Sequence, residues 1–336
     1  MLKLGIIGAG RIGRVHCESI VNFVPQAIVQ AIADPMLNND IRDFAAKMRV
    51  PDVYDDYMKI INDPQIDGVL ICSSTDTHAQ ISIEAAQAGK HIFCEKPVDT
   101  DLKRIAQVAD AVSKAGVKFQ VGFNRRFDNN FKAVRDSVAS GKVGEVHLVR
   151  ITSRDPAPPP AEYVAVSGGM FLDMTIHDFD MVRYLTGSEP IEIYSAGAVL
   201  VDPAIGKAGD IDTAVITIKM ANGAIAAIDN SRKAAYGYDQ RAEVFGSKGS
   251  MAISNNTQST AVFSGEDGVV AEKPLYFFLE RYMQSFSDEM ISFVEAVVNN
   301  KPVPVNAEDG LVPVKMALAA KKSLDENRPV QLSEIG

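Results

Sequence analysis

Asp173 and His177 stand four residues apart in the stretch Gly168-Gly-Met-Phe-Leu-Asp-Met-Thr-Ile-His-Asp-Phe-Asp180, a spacing that puts both side chains on one face of a helix. There a carboxylate can hold one ring nitrogen of an imidazole and leave the other to move a proton near neutral pH, the work of a general base. The same spacing also serves a plain surface ion pair. The pair becomes chemistry only if the chain supplies a cofactor and an electrophilic partner. Lys96 is the candidate partner. It ends the apolar run His91-Ile-Phe-Cys-Glu-Lys-Pro97, at the carboxyl edge of a predicted strand, where open α/β sheets bind ligands. A solvated surface lysine is the plainer alternative, although Pro97 restricts the backbone of Lys96 and makes a cis bond accessible.

The cofactor signal lies at the start of the chain. Leu2 to Ile7 is a short apolar strand that runs into Gly8-Ala9-Gly10-Arg11-Ile12-Gly13, and residues 15–24 follow as a helix. Gly8 permits a tight turn, Gly10 lets the backbone approach a pyrophosphate, and Gly13 lets helix and strand pack closely. The helix start, Arg11 and Ile12 with it, offers free N–H groups to phosphates. A second strand over 27–33 ends at Asp34, about twenty residues beyond the last glycine, where a carboxylate accepts from ribose hydroxyls and repels a 2′-phosphate. NAD is therefore expected over NADP; the alternative for Asp34 is a cap or turn former before Pro35. Ser73, Ser74, Thr75 and His78 follow the strand over 67–73 and join Glu95 and Lys96 in the expected cofactor set, while Asp76 and Thr77 suit capping of a helix over 79–88.

These residues need a scaffold, and the 336-residue length suits two domains, each with its own core. Helices over 39–49, 56–62 and 101–114 alternate with the strands already named and with one over 117–121. The economical result is a parallel, doubly wound NAD-binding Rossmann domain over 1–121. A tight crossover near Gly122 leads into a second domain, 122–336. There a helix ends near 140, a strand covers 145–151 and the proline-rich segment 156–160 is a connector. The helix carrying Asp173 and His177 runs to Thr186 and stops at Gly187. Strands over 191–201, 213–220, 224–230, 241–245 and 250–253, with Asn222-Gly223 as a hairpin turn, imply a mainly antiparallel sheet. Helices over 278–299 and 307–325 close the chain, the first with an apolar face fit for core. The aromatic cluster Tyr276, Phe277, Phe278 and Tyr282 suits either a subunit surface or core.

A hydrophobic fraction of 46% describes a soluble globular protein, and a net charge of -9 argues against nucleic acid or an anionic membrane as partner. Cys17, Cys72 and Cys94 form no CxxC pair and an odd count, so neither a disulfide framework nor a zinc knuckle is expected, and no metal is required. A reducing cytoplasm is the natural home. Neither a signal peptide nor a membrane span is read in the sequence.

Taken in order, the glycine turn, Asp34, Ser73-Ser-Thr-Asp-Thr-His78 and Glu95-Lys96-Pro97 make the chain resemble the Gfo/Idh/MocA family of nicotinamide-dependent oxidoreductases over nearly its whole length. That resemblance implies an N-terminal Rossmann domain joined to a C-terminal α+β domain on a large, mainly antiparallel open sheet, in a homo-oligomer, with a tetramer favoured. Within the family the likeness is to inositol-oxidising members, through Val121-Gly-Phe-Asn-Arg-Arg-Phe-Asp128, Arg154-Asp155-Pro156, Gly169 to Asp180 and Tyr236-Gly-Tyr-Asp-Gln-Arg241. It implies oxidation of a cyclic polyol, myo-inositol to 2-keto-myo-inositol, with Lys96, Asp173 and His177 as catalytic residues that also meet the substrate. Asn124, Arg125, Asp155 and Tyr236 are the counterparts of residues that hold the other hydroxyls. Related inositol enzymes often carry methionine and asparagine where Asn124 and Asp155 stand here, which leaves the stereoisomer open. An aldose 1-dehydrogenase of the same family would share the catalytic residues. A non-catalytic NAD-binding regulatory protein on this fold would not need them.

Overall fold

Strand and helix alternate through the first 122 residues: β1 (Leu2–Ile7), α1 (Arg11–Phe23), β2 (Ala27–Ala33), α2 (Asn39–Lys47), β3 (Asp52–Tyr54), α3 (Met58–Ile61), β4 (Gly68–Ile71), α4 (Thr75–Gln87), β5 (His91–Glu95), α5 (Leu102–Ala115) and β6 (Phe119–Gly122). The computed structural model describes residues 1–164 and 166–336. The six strands are parallel, in the order β3-β2-β1-β4-β5-β6. Strands covered by helices on both faces are apolar throughout rather than alternating, and β4 is buried along its whole length. The strand order reverses between β1 and β4, so the glycine turn after β1 and Ser73 after β4 share the switch point where such sheets take dinucleotides. Helix ends follow local chemistry: Asp101 caps α5 by accepting from Lys103 N at 2.8 Å, and Gly116 ends it in the left-handed conformation.

A short 3-10 turn at Asn124–Phe127 precedes α6 (Asn129–Ala139), β7 (Val146–Arg154), α7 (Ala161–Val164), α8 (Gly169–Asp173), α9 (Ile176–Thr186), β8 (Pro190–Ala198), α10 (Pro203–Lys207), β9 (Thr213–Met220) and β10 (Ile225–Ser231). Then come β11 (Asp239–Gly246), β12 (Gly249–Ile253), β13 (Val262–Gly265), β14 (Gly268–Ala271), α11 (Phe278–Arg281), α12 (Met283–Val298), α13 (Ala307–Glu326) and β15 (Val330–Gln331). Seven of these strands form one sheet, ordered β12-β11-β7-β10-β9-β8-β15. Neighbours are antiparallel except β7 and β10, which run parallel. Period-two patterning is plain in β9, where Ala214, Ile216, Ile218 and Met220 are buried and Val215, Thr217 and Lys219 are exposed. Gly223, at φ 89°, supplies the left-handed step of the turn from β9 to β10. Beyond the expected strands, β13 and β14 form a hairpin whose strand residues are all exposed.

The chain divides into two units, Met1–Phe127 with Gln284–Val312, and Asp128–Met283 with Pro313–Gly336. This differs from one break at 121/122 because the apolar face of α12 returns to the first unit: Met290, Phe293 and Val294 join Leu4, Ile20 and Phe93 in a common core. The division falls inside α13, at Pro313. The helix expected over 278–299 is interrupted between α11 and α12 at Tyr282. Tyr282 is core, whereas Tyr276 is exposed. Among the described residues no helix is long and apolar enough to cross a membrane.

Candidate active site

In the first unit the three glycines do three different things. A Cβ on Gly8, at φ 101°, would lie 2.6 Å from the Cys72 carbonyl carbon, and one on Gly13 would lie 2.0 Å from Gly8 O, so turn and helix could not close with any side chain there. A Cβ on Gly10 would meet nothing within 4 Å, which leaves open ground beside the start of α1. Gly10 is also the N-cap of α1 and brings no side-chain acceptor for the first-turn N–H groups. Arg11 is exposed and Ile12 half-buried at that helix start. Asp34 accepts from Ala9 N at 2.7 Å through Oδ2 and from Met36 N at 2.8 Å through Oδ1. It is both turn former and buttress of the glycine loop. A carboxylate has about four lone-pair sites, so both oxygens keep room for ribose hydroxyls. The residues present therefore fit a dinucleotide: Gly8, Gly10 and Gly13 shape the cradle, the start of α1 would meet the pyrophosphate, and Asp34 would accept from the ribose.

The strand ends that follow are tied to one another. α4 begins at Thr75, not at 79, so Asp76 and Thr77 sit in its first turn instead of capping it, and Ser74 is the N-cap. Ser73 Oγ and Thr77 Oγ1 share a hydrogen bond at 2.7 Å. His78 is buried, with Nδ1 2.8 Å from Pro97 O and Nε2 3.0 Å from Ser73 O. A neutral imidazole donates from only one of these nitrogens, so one carbonyl accepts its N–H and the other lies beside the unprotonated nitrogen; either way the ring ties the segment after Lys96 to the end of β4. Glu95 also bridges elements. Its Oε1 meets Nε2 of His16 at 2.7 Å and its Oε2 accepts from Lys96 N at 3.3 Å, joining α1 to the end of β5. His16, buried on α1, escaped the sequence reading because only its fold neighbours show its use. Lys96 is half-buried rather than a solvated surface residue, and the Lys96–Pro97 peptide is cis.

The second unit holds the carboxylate and imidazole, but not on one continuous helix. α8 stops at Asp173 and α9 starts at Ile176. Thr175 N bonds back to Met170 O, and His177 N bonds to Met174 O at 3.3 Å in place of an α-helical bond to Asp173 O. A buried polar network sets this break: Thr175 Oγ1 donates to Asn230 Oδ1 at 2.7 Å, and Asn230 Nδ2 donates to Asp178 Oδ2 at 2.9 Å. Asp178 and Asp180 are fully buried, so neither is a solvated charge, and Asp178 anchors the start of α9 onto β10. Asp173 Oδ1 accepts from Tyr163 OH at 2.9 Å and Oδ2 from Arg232 Nη2 at 2.8 Å. His177 is half-buried.

The remaining expected substrate residues fall in both units. Asn124 is buried and donates to Ser285 Oγ at 3.3 Å. Arg125 is 3% exposed. Asp155 accepts from Arg232 Nη1 at 3.2 Å. Tyr236 gives its hydroxyl hydrogen to Asp239 at 2.5 Å and accepts from Arg154 Nη1 at 3.1 Å, so only a lone pair is left for a ligand. Burial and the bond to Asp239 push its pKa up and keep the phenol protonated. Burial works against the charge on Arg232, but Asp173 and Asp155 outweigh it and hold the guanidinium above its ordinary pKa. Arg232, Tyr163 and Asn230 carry no sequence signal, since each gains meaning from a partner 10 to 77 residues away.

Asp34→Ala is expected to weaken NAD binding by about 10- to 100-fold, the loss of one or two charge-assisted hydrogen bonds, and to narrow the preference over NADP. Titrating both dinucleotides against both proteins checks this; a wild type that binds NADP more tightly refutes the ribose assignment.

Comparison with known proteins agrees with this geometry. Residues 2–123 match the oxidoreductase family with an NAD-binding Rossmann fold, and residues 131–252 match the GFO/IDH/MocA C-terminal domain. The chain is 48% identical to myo-inositol 2-dehydrogenase of Thermotoga maritima over 99% of both chains, and 42% identical to inositol 2-dehydrogenase of Rhizobium meliloti over 99% of both. The crystal structure of scyllo-inositol dehydrogenase from Lactobacillus casei, with NAD(H) and scyllo-inositol bound, superposes with a TM-score of 0.93 at 33% identity, covering 99% of each chain. With its glycine cradle and C-terminal sheet accounted for, the chain belongs to the GFO/IDH/MocA family of NAD-binding oxidoreductases.

Proposed function

We propose that the protein oxidises a secondary alcohol of a cyclic polyol, myo-inositol to 2-keto-myo-inositol, with NAD. The carrying observation is the Asp173 carboxylate, fixed by Arg232 and Tyr163 at the helix break that presents His177. The likeness to inositol 2-dehydrogenases over the full length supports the substrate. His177, oriented by Asp173, takes the hydroxyl proton, and Lys96 donates a hydrogen bond to the same oxygen as negative charge develops on it. Bound NAD supplies the acceptor for the hydride that leaves the carbinol carbon. Asn124, Arg125, Asp155 and Tyr236 hold the other hydroxyls, and a polyol that leaves the buried Asn124 or Arg125 unpaired is rejected.

A second reading, preference for scyllo-inositol, is supported by the Lactobacillus casei enzyme. NADH formation on a panel of myo-inositol, scyllo-inositol and glucose separates the readings. The expected order is myo-inositol first; turnover confined to glucose, or NAD binding with no turnover on any of them, overturns the proposal. The same proposal makes the protein a cytoplasmic homotetramer. Cys17, Cys72 and Cys94 are free and buried, as a reducing compartment allows. Val215, Ile225 and Phe245 leave exposed apolar area on the large sheet that a second copy would cover. A monomer mass by light scattering, or recovery outside the cytosolic fraction, counts against these assignments.

A further inference from the structure

Arg232 follows the last residue of β10 and is 4% exposed. One guanidinium spans two carboxylates there: Nη1 donates to Asp155 Oδ2 at 3.2 Å and Nη2 to Asp173 Oδ2 at 2.8 Å. Its surroundings are stapled by backbone. Arg232 N bonds to Asp212 O at 2.8 Å, Asp155 N to Ser231 O at 2.9 Å and Ala234 N to Asp155 O at 2.6 Å. Asp155 and Arg232 are therefore held by the register of β7 and β10, whereas Asp173 ends a five-residue helix just before a break. A guanidinium is planar, and its two Nη atoms keep a fixed separation, so anchoring one at Asp155 dictates where the Asp173 carboxylate comes to rest.

We propose that Arg232 is a positioning residue for the oxidation: it carries the rigid register of the sheet through Asp155 to Asp173, and so sets the carboxylate that orients His177. The inference rests on the reading of Asp173 and His177 as the base. It joins two functions in one side chain, because Asp155 is also assigned to the polyol. A lysine cannot replace it, since a single ammonium on a flexible stem does not span both carboxylates at fixed separation.

A double-mutant cycle on the full-length protein tests this, with steady-state kinetics on the polyol the wild type oxidises best. Arg232→Met is expected to lower kcat by about 100-fold, the scale of a misplaced reacting group, and to raise KM for polyol several-fold. NAD affinity should stay within about threefold, because the dinucleotide residues belong to the other unit. Arg232→Lys is expected to recover no more than about a tenth of kcat. In an Asp173→Asn background Arg232→Met should cost less than about threefold more, as groups acting as one are not additive. Losses that multiply in the double variant, or full kcat in Arg232→Lys, overturn the proposal. If Arg232→Met fails to fold, as judged by its melting curve, the cycle is closed with Arg232→Lys. A wild type inert on every polyol defeats the underlying reading of the base; an active wild type with multiplying losses defeats only the role given to Arg232.

Discussion

His177→Ala is expected to lower kcat by about 10²- to 10⁴-fold, the range for losing a positioned general base, with NAD affinity little changed. The separation of effects follows from the fold. The glycine cradle and Asp34 are built entirely within the first unit, and His177 stands in the second. Loss of the proton acceptor also slows the bond-breaking step relative to product release, so the primary deuterium isotope effect on kcat, with substrate labelled at the carbinol carbon, should rise. Steady-state rates with labelled and unlabelled polyol check both outcomes. Turnover within threefold of wild type would remove His177 from the mechanism. An isotope effect that does not rise despite a large fall in kcat would place its role outside the chemical step.

Lys96→Ala is expected to cost about 10²- to 10³-fold in kcat, comparable to deleting one donor to a developing oxyanion. Lys96 differs from an ordinary surface lysine in that its backbone is held from two sides. Glu95 accepts from its N–H, and His78 bonds the carbonyl of Pro97. Because Lys96 is also assigned to the cofactor set, a modest loss of NAD affinity should accompany the fall in kcat. Lys96→Arg, with its charge spread over a planar fork, should restore little. Isothermal titration with NAD, beside turnover of the same preparations, separates the two contributions. Unimpaired kcat in Lys96→Ala would return the residue to the ordinary role of a surface cation.

How much of this was legible in the sequence depended on how local the cause was. Gly8, Gly10 and Gly13 could be assigned separately because a positive φ and a missing Cβ are properties of single residues and their near neighbours. Asp34 was legible because it ends its strand, although its bond to Ala9 N was not. Motifs leave out the tertiary partners of their own residues. His78 and Glu95 belong to the expected motifs, and their side chains also meet Pro97, Ser73 and His16, contacts that no motif states. The spacing of Asp173 and His177 was right for a helix, but the helix breaks between them, because Thr175 and Asp178 are drawn to Asn230 on a strand more than fifty residues later.

By itself the sequence determined the alternation of strand and helix, the glycine turn with its ribose acid, the change to period-two strands beyond residue 190 and the pairing of a carboxylate with an imidazole. All of these rest on short-range sterics and on the apolar periodicity that each element needs to bury one face. Only the tertiary structure decided that α12 completes the core of the first unit, that β7 and β10 run parallel, and that Arg232 takes both Asp155 and Asp173. Each is a choice of partner between segments far apart in the chain. Such a choice is made by which apolar faces remain uncovered and which buried charges remain unpaired once the local elements have formed.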